Sequence, residues 1–265
     1  MLNPEPPPIT NKALYVFRVL MKWLSFFVFG LGSLLLTILV LPPMRLVLHP
    51  RDRFSKYARR FISFSFGIFV SFMHIIGIVD LDVPNRKSFR QFSSKIIIAN
   101  HPSLLDVVML VSLIPNADCI VASYLNHSIL AGIVRQLYIL SSKYFEDLLK
   151  DCDKTLKQGN CLIIFPEGTR TPRSGEKPVI RKGTARIALS CGCGIIPLHI
   201  GGTDKYGLGK RDPWTAFNSK ERYVYRISIG EEIHPEKYRK LPMPAAVQLI
   251  TKDISASIFL SSEAT

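Results

Sequence analysis

The strongest constraint on the fold of this chain is an uncharged apolar segment near its amino terminus. No charged residue occurs in residues 23–44, and residues 24–41 are almost wholly Leu, Phe, Val, Ile, Gly, Ser and Thr. A helix of that length can cross a bilayer, which takes about 20 apolar residues. The run is longer than the core of a cleavable signal, and Pro42 and Pro43 lead to Arg45 instead of a small-residue cleavage site. We therefore expect a retained membrane helix.

A second uncharged stretch, residues 61–79, is more polar. It contains three serines and His74, to which we assign no role, and it runs into an alternating pattern at residues 79–83 that predicts a strand. The basic loop between the two stretches, residues 45–60, makes two full spans unfavourable by the positive-inside rule. Two arrangements remain: a single span at residues 23–44 with the second stretch in the interface, or a helical hairpin that enters one leaflet and returns. In both, the loop and the rest of the chain face the cytosol.

The basic residues of this loop have two interpretations. They contact an anionic lipid surface, which contributes about 1 kcal/mol for each residue, or they act only as determinants of topology. The six residues are Arg45, Arg51, Arg53, Lys56, Arg59 and Arg60.

The composition of the whole chain agrees with a membrane partner. The net charge is +14, while 48% of the 265 residues are apolar and 20% are charged. A chain that is both apolar and basic suits an anionic membrane better than nucleic acid, and no nucleic-acid-binding motif is recognisable. The length suits one domain of roughly 200 residues with an additional segment.

The five cysteines predict neither disulfides nor a metal site. They are odd in number and show no CxxC spacing, so they are interpreted as reduced core residues in a cytosol-facing domain. Cys191 and Cys193 are close enough in sequence to bind metal or be redox-active, but packing as small apolar residues beside Gly192 and Gly194 is the favoured interpretation. The other three are Cys119, Cys152 and Cys161.

Downstream of residue 78, short apolar runs alternate with helix-like stretches. This alternation predicts an α/β fold, with a mostly parallel central sheet flanked by helices and preceded by N-terminal membrane-binding helices. Strands are expected at residues 95–99, 119–122, 138–140, 161–165, 195–200 and 223–229. Helices are expected at residues 103–114, 129–136, 145–157, 182–190 and 245–259.

The first polar turn, NHPSLLD at residues 100–106, follows a predicted buried strand and opens the next helix. In a continuous helix His101 and Asp106 would point apart, but they converge if His101 lies in the entry turn and Asp106 in the first helical turns. Pro102 fits a helix start. A neutral imidazole can accept the proton of an alcohol that attacks a thioester, and a carboxylate on its other nitrogen fixes the tautomer. The alternative is that His101 caps the helix and Asp106 is an exposed acid near its N-terminus.

The second polar turn, FPEGTR at residues 165–170, also follows an apolar strand. Arg170 offers a planar fork for a phosphate, Gly168 permits close backbone approach, and Thr169 adds a hydroxyl. Glu167 can accept hydrogen bonds from acceptor hydroxyls or hold Arg170 in position. An ordinary turn on a solvated basic face is the alternative. The nearby basic residues are Arg173, Lys177, Arg181, Lys182 and Arg186.

The two turns together carry a family resemblance. NHPSLLD followed about sixty residues later by FPEGTR resembles the glycerolipid acyltransferase family, which includes 1-acylglycerol-3-phosphate acyltransferases. The resemblance covers roughly residues 75–205, and the preceding apolar helices also look like that family's arrangement. It implies that His101 is the general base, Asp106 its charge partner and residues 167–170 the acceptor-binding turn. It also implies no metal and no bound cofactor, with acyl-CoA or acyl-acyl-carrier protein as co-substrate.

This sequence departs from the family pattern between the two turns. The family often has an arginine there, after a Gly-x-Ile-like stretch, that helps to hold the acceptor phosphate, whereas Lys143 follows residues 138–142 here. Lys143 or Arg135 is the candidate substitute, but lysine lacks the bidentate fork, so the acceptor headgroup stays open. Pro197, in GIIPL at residues 194–198, resembles the family's fourth block and shapes the acyl or acceptor pocket, or only marks a strand end.

The resemblance implies a membrane anchor at residues 1–77 and an acyltransferase catalytic domain at residues 78–265, on the cytoplasmic face. The leading hypothesis is a membrane-bound O-acyltransferase that acylates a lysophospholipid, above all 1-acylglycerol-3-phosphate, to give phosphatidic acid. Acylation of another lyso-lipid, such as an aminolipid or a glycolipid, uses the same pair of residues. A thioester hydrolase is a third hypothesis. A non-catalytic membrane scaffold is the fourth, and it does not explain the pairing of His101 with Asp106.

Overall fold

The computed structural model describes residues 8–121, 133, 138–140, 144–173, 178–218 and 220–259. Its amino-terminal part is a helix from Lys12 to Val47, made of α1 (Lys12–Leu35), a π-helical turn (Leu36–Val40) and α2 (Leu41–Val47). Pro42 and Pro43 lie in the first turn of α2, where a missing N–H is tolerated. Among the described residues, only this helix has the length and apolar composition needed to cross a membrane.

The remaining elements form an α/β fold around one seven-stranded sheet, in the order β1-β7-β6-β2-β5-β3-β4. All neighbouring pairs are parallel except β6 and β7. The predicted fold class is therefore confirmed. In chain order the elements are α3 (Arg51–Ile75), β1 (Val79–Asp82), α4 (Arg86–Phe89), β2 (Ile96–Ala99), α5 (Asp106–Leu113), β3 (Ala117–Val121), β4 (Tyr138–Leu140), α6 (Phe145–Lys157), β5 (Cys161–Ile164), α7 (Gly183–Cys191), β6 (Ile195–Gly202), β7 (Tyr223–Ile229), a 3₁₀ turn (Pro235–Tyr238) and α8 (Met243–Phe259).

The helices cover both faces of the sheet. Helices α3 and α5 pack on one face, against alternate residues of the central strands such as Ile97 and Ile163. Helices α6, α7 and α8 pack on the other face, against Ile96 and Leu162. Because β2 and β5 are covered on both sides, every residue in them is buried. This explains why these strands read as continuous apolar runs in the sequence.

Helix α3 packs against one face of the α/β fold. Its Arg59 donates from Nε and Nη2 to the two carboxylate oxygens of the buried Asp118, over 2.6 and 2.9 Å. The interpretation in which Arg59 contacts a lipid surface is therefore wrong, because its guanidinium is enclosed in this ion pair, whereas its role as a determinant of topology stays a prediction. The outward face of α3 carries exposed apolar side chains, which are Tyr57, Phe61, Phe64, Ile68 and Ile75.

The loop between β6 and β7 joins the amino-terminal helix to the sheet. We refer to residues 203–218 as the β6–β7 loop. The ammonium of Lys22 in α1 is buried against it and donates to the carbonyl oxygens of Ala216 and, over 3.4 Å, Gly207. The rings of Trp23 and Trp214 lie 6.1 Å apart. The amino-terminal helix is thus fixed to a loop at the carboxyl end of β6.

Candidate active site

The carboxyl ends of β6, β2 and β5 meet at one edge of the sheet, because these neighbouring strands are parallel. The turn after β2, the turn after β5 and the β6–β7 loop therefore lie together. The side chain of Asn100 extends the β2–β6 pairing, with Nδ2 donating to Ile200 O over 2.9 Å and Oδ1 accepting from Ile200 N over 2.7 Å. This pairing fixes the backbone just before His101.

His101 and Asp106 converge as the sequence predicted. Nδ1 of His101 lies 2.7 Å from Oδ2 of Asp106, and the Asp106 carboxylate is fully buried. The imidazole stacks on the Phe165 ring, with a centroid distance of 4.1 Å. With Nδ1–H donating to the carboxylate, Nε2 has the lone pair that can accept a proton from a substrate. The pair can therefore act as a general base oriented by a carboxylate.

The helix after this turn begins later than predicted, at Asp106 and not at Ser103. The reason is that Ser103 caps the carboxylate: its amide donates to Oδ2 over 2.8 Å and its hydroxyl to Oδ1 over 2.5 Å. Asp106 is therefore not an exposed acid at a helix terminus, as the alternative interpretation proposed. It is a buried carboxylate held by Ser103 and His101.

Glu167 links the second turn to the first. Its Oε1 accepts from the His101 amide over 3.1 Å and from the Thr171 hydroxyl over 2.7 Å. Glu167 is only 3% exposed, and its buried Oε2 has no hydrogen-bond partner among the described residues. Burial raises the pKa of this carboxyl, while the hydrogen bonds from Thr171 and the His101 amide oppose that shift. Among the described residues, no hydrogen bond or ion pair joins Glu167 to Arg170. The structure therefore does not show the predicted alternative in which Glu167 holds Arg170.

Arg170 is anchored to the β6–β7 loop. Its Nη1 donates to the carbonyl oxygens of Leu208 and Gly209, over 3.0 and 2.8 Å. Among the described residues, no hydrogen bond involves the Nη2 or Nε atom of Arg170. Thr169 is half-buried beside it. One edge of the Arg170 guanidinium thus remains for a ligand, while the other holds the turn against the loop.

Gly168 lies beneath the exposed side chain of Arg181. It has a φ of +64°, and a Cβ built on it would lie 2.5 Å from Nε of Arg181. Only glycine meets both requirements without displacing that guanidinium. Arg173 is committed elsewhere, since it pairs with Asp204 and stacks on Tyr206 at 4.6 Å. Arg181 is therefore the exposed guanidinium placed directly on this turn.

The segment that contains both polar turns is similar to proteins of known function. Residues 80–201 match the family model described as Acyltransferase, and both polar turns lie inside the match. Through this segment the chain is similar to the acyltransferase family. The matched segment of this chain contains His101, Asp106 and Glu167.

Two relatives show how much of this chain is similar to known proteins. The chloroplastic 1-acyl-sn-glycerol-3-phosphate acyltransferase BAT2 of Brassica napus is 26% identical over 66% of this chain and 52% of its own length. The 1-acyl-sn-glycerol-3-phosphate acyltransferase of Helicobacter pylori is 34% identical over 56% of this chain and 65% of its own. The chain thus spans about half the length of the plant relatives that it matches.

A solved structure shares the fold. The crystal structure of the 1-acyl-sn-glycerophosphate (LPA) acyltransferase PlsC from Thermotoga maritima is similar with a TM-score of 0.59. The two are 21% identical, and the match covers 90% of this chain and 95% of that one. At this identity the likeness shows the fold alone.

Three predicted site residues stand apart from the two turns. Arg135 and Lys143 lie outside the described residues. Pro197 is the third residue of β6, opposite Ile98 in the register, and its carbonyl accepts from Gly230 N over 2.8 Å. It is therefore inside a strand and does not mark a strand end. Its place in a pocket stays a prediction.

The sequence analysis missed three residues that support the first turn. Ser103 was part of the recognised stretch, but its role as the partner of Asp106 was not expected. Thr171 donates its amide to His101 O over 2.7 Å, which adds a second link between the turns. Tyr225 in β7 places its hydroxyl 2.7 Å from Oγ of Ser103. No local pattern connects these residues.

Proposed function

We propose that this protein transfers a fatty acyl group from a thioester to the hydroxyl of a lysophospholipid. The leading candidate acceptor is 1-acylglycerol-3-phosphate, and the product is then phosphatidic acid. The observation that carries the proposal is the buried hydrogen bond between His101 and Asp106, joined through the His101 amide to the turn of Glu167. The match to the acyltransferase family model and the names of the relatives support the reaction class.

The proposed chemistry is general-base catalysis without an acyl-enzyme. His101 Nε2 takes the proton of the acceptor hydroxyl while that oxygen attacks the thioester carbonyl carbon. Asp106 holds the imidazole orientation and stabilises the imidazolium that forms. The C–S bond then breaks, an ester bond remains on the acceptor, and the imidazolium returns its proton to the leaving thiolate. The substrate hydroxyl is the only nucleophile required.

The acceptor is proposed to lie against the second turn. The buried Oε2 of Glu167, which has no hydrogen-bond partner among the described residues, is proposed to accept from a hydroxyl of the glycerol moiety when the acceptor binds. The remaining edge of Arg170 and the exposed guanidinium of Arg181 offer donors for a phosphate. Lys143 and Arg135 stay candidates for the same charge. Thr169 completes the turn with a hydroxyl.

The donor is proposed to be acyl-CoA or an acyl-acyl-carrier protein. CoA carries phosphates and carrier proteins are acidic, so a net charge of +14 attracts either one. The helix Lys12–Val47 and the exposed apolar face of α3 are proposed to hold the enzyme in the membrane, with the catalytic domain on the cytoplasmic face. The lysolipid then reaches the site from the bilayer.

A phosphate-free lyso-lipid is the second candidate acceptor. The observation that favours it is that Arg170 Nη1 bonds to two backbone carbonyls and Arg173 pairs with Asp204, which leaves fewer guanidinium donors for a phosphate.

The test is acyl transfer by purified, detergent-solubilised protein and by the His101→Ala variant. An acyl thioester is supplied with a panel of phosphate-bearing and phosphate-free lysolipids. Product from the wild type alone, and with 1-acylglycerol-3-phosphate as the best acceptor, is the expected result. Better use of a phosphate-free lysolipid would shift the assignment to the second candidate. Thioester loss without a lipid product would identify a hydrolase and overturn the proposal.

A further inference from the structure

A buried row of side chains extends behind the His101–Asp106 pair. Ser103 Oγ contacts Asp106 Oδ1 at 2.5 Å and the Tyr225 hydroxyl at 2.7 Å. The ammonium of Lys205 lies 4.7 Å from the centroid of the Tyr225 ring. Ser103, Asp106 and Tyr225 are 0% exposed and Lys205 is 4% exposed. This row connects the proposed base to a cation that no role described above uses.

The direction of the hydrogen bonds in this row follows from the donors available. The Ser103 hydroxyl has one proton, which it donates to the Asp106 carboxylate. The Tyr225 hydroxyl must therefore donate to Ser103 Oγ. Each donor in the row points toward Asp106, so the row stabilises the negative charge of that carboxylate.

Lys205 is held in place by backbone oxygens. Its ammonium donates to the carbonyls of Val224 over 2.8 Å, Gly201 over 3.3 Å and Thr203. Burial lowers the pKa of Lys205 to about 8, and the negative charges of Asp106, Asp204 and Glu221 oppose this shift, Asp106 most strongly. The side chain is thus mainly cationic at neutral pH, in spite of its burial. A buried cation is costly and persists where nearby negative charge and hydrogen bonds compensate it.

We propose that Lys205 is a positioning residue for the His101–Asp106 pair: its positive charge balances the Asp106 carboxylate and disfavours the imidazolium form of His101. The inference deepens the proposed function, on which it rests. A nearby cation disfavours the imidazolium, because two like charges repel across a poorly screened interior. Removal of the cation therefore makes protonation of the pair easier.

Other charged groups face the pair and must be kept constant in the test. The Glu167 carboxyl contacts the His101 amide, and Asp204 and Glu221 act on Lys205. None of them is changed by substitution of Lys205. Lys205→Gln removes the charge and keeps hydrogen-bond donors for the carbonyls, whereas Lys205→Arg keeps the charge. Lys154→Gln, at an exposed position of α6, is the control with the same change in net charge.

The experiment measures kcat/KM against pH for the wild type and the three variants, after their thermal stability has been compared. In Lys205→Gln the acid limb is expected to move to higher pH by about 0.5 to 1 unit, as for the loss of one nearby charge. Lys205→Arg and Lys154→Gln are expected to keep the wild-type position. The wild-type and Lys205→Gln profiles should converge at higher pH, where the base is unprotonated in both proteins. A merely structural role would lower activity equally at every pH.

A second measurement does not depend on activity. NMR of histidine-labelled protein in detergent follows the titration of the His101 ring, identified by its absence in His101→Gln. The midpoint is expected to rise in Lys205→Gln; an unmoved midpoint, or a shift of equal size in Lys154→Gln, would overturn the role of Lys205. If the midpoint rises but the wild type transfers no acyl group, the electrostatic inference holds and the proposed function fails.

Discussion

The backbone amide of His101 donates to Oε1 of Glu167 over 3.1 Å, so the turn with the proposed base and the turn with the proposed acceptor site are directly joined. Thr171 strengthens this connection, because its amide donates to His101 O and its hydroxyl to Glu167. A change in either turn is therefore transmitted to the other through the backbone. Variants must separate chemical roles from this structural one.

The first prediction concerns the base. His101→Ala should lower kcat by at least about 10²-fold, since general-base catalysis contributes about 10²- to 10⁴-fold. The backbone links to Glu167 and Thr171 do not involve the imidazole, so the fold and membrane association should persist. Transfer assays, circular dichroism and co-sedimentation with vesicles check these outcomes. Transfer at the wild-type rate would remove His101 from the mechanism.

The second prediction concerns Glu167. Because burial raises the pKa of its carboxyl, the ionised form is disfavoured in the folded protein, and the penalty is largest at neutral and higher pH. Glu167→Gln keeps an acceptor for the His101 amide and removes that penalty. Thermal stability at pH 8 should therefore match or exceed that of the wild type, and the difference should shrink as the pH falls.

Activity separates the two roles of this carboxyl. If Oε2 accepts from the acceptor hydroxyl, Glu167→Gln should raise the acceptor KM and leave the thioester KM nearly unchanged. A loss of stability at pH 8 would contradict the electrostatic part. Equal changes in the two KM values would contradict the acceptor contact.

The third prediction concerns the phosphate. Arg181→Ala should raise the KM for a phosphate-bearing acceptor by about 10-fold, the equivalent of 1.4 kcal/mol in the range expected for a charge-assisted hydrogen bond. Gly168→Ala should raise the same KM, because its Cβ would displace Arg181, and should also lower thermal stability, because φ is +64° at this position. Arg170→Ala should raise the same KM and also lower thermal stability, since it releases Leu208 and Gly209.

Kinetics with phosphate-bearing and phosphate-free lysolipids check these effects. The control is Arg186→Ala in α7, which also removes an arginine from this basic stretch. The Arg186 guanidinium stacks on Phe145 and does not lie on the second turn. An Arg181→Ala variant with unchanged acceptor KM would remove Arg181 from the acceptor site.

The local parts of the structure could be predicted from the sequence. The bounds of β4, α6 and β7 agree with the predicted residues 138–140, 145–157 and 223–229. Short-range hydrophobic patterns determine these elements, and parallel pairing places the ends of β2 and β5 together. The convergence of His101 on Asp106 followed from a turn of known length.

The long-range contacts could not be predicted in the same way. Ser103 and Tyr225 are separated by 122 residues in the sequence, and Lys22 and Ala216 by 194. No periodic pattern encodes which polar side chains meet across such distances. The burial of Arg59 was missed for the same reason, since its partner Asp118 lies in another element. The sequence therefore predicted the proposed base and its carboxylate partner, but not the contacts of Ser103 and Tyr225 that support them.

The fourth prediction concerns the cysteines. All five are free, and burial raises the pKa of each thiol, to about 12 for Cys193 and about 11 for Cys191. The thiolate is the reactive species, so reaction with iodoacetamide at pH 8 should be slow in the folded protein and fast after denaturation. Mass spectrometry of the alkylated chain measures this. Rapid modification of Cys191 or Cys193 in the folded protein would favour the redox or metal interpretation.

The last prediction concerns the link between the amino-terminal helix and the site. Lys22 donates to carbonyls of the β6–β7 loop, and the same loop holds Arg170 through Leu208 and Gly209. Lys22→Met leaves those carbonyls unsatisfied, which should cost about 1–3 kcal/mol and loosen the loop. We expect lower thermal stability and a higher acceptor KM, with a smaller change in the thioester KM. Lys12→Met, at the exposed start of α1, is the control for the loss of a lysine from this helix. An acceptor KM that stays at the wild-type value in Lys22→Met, with the stability loss present, would show that the loop anchors the helix without shaping the acceptor site.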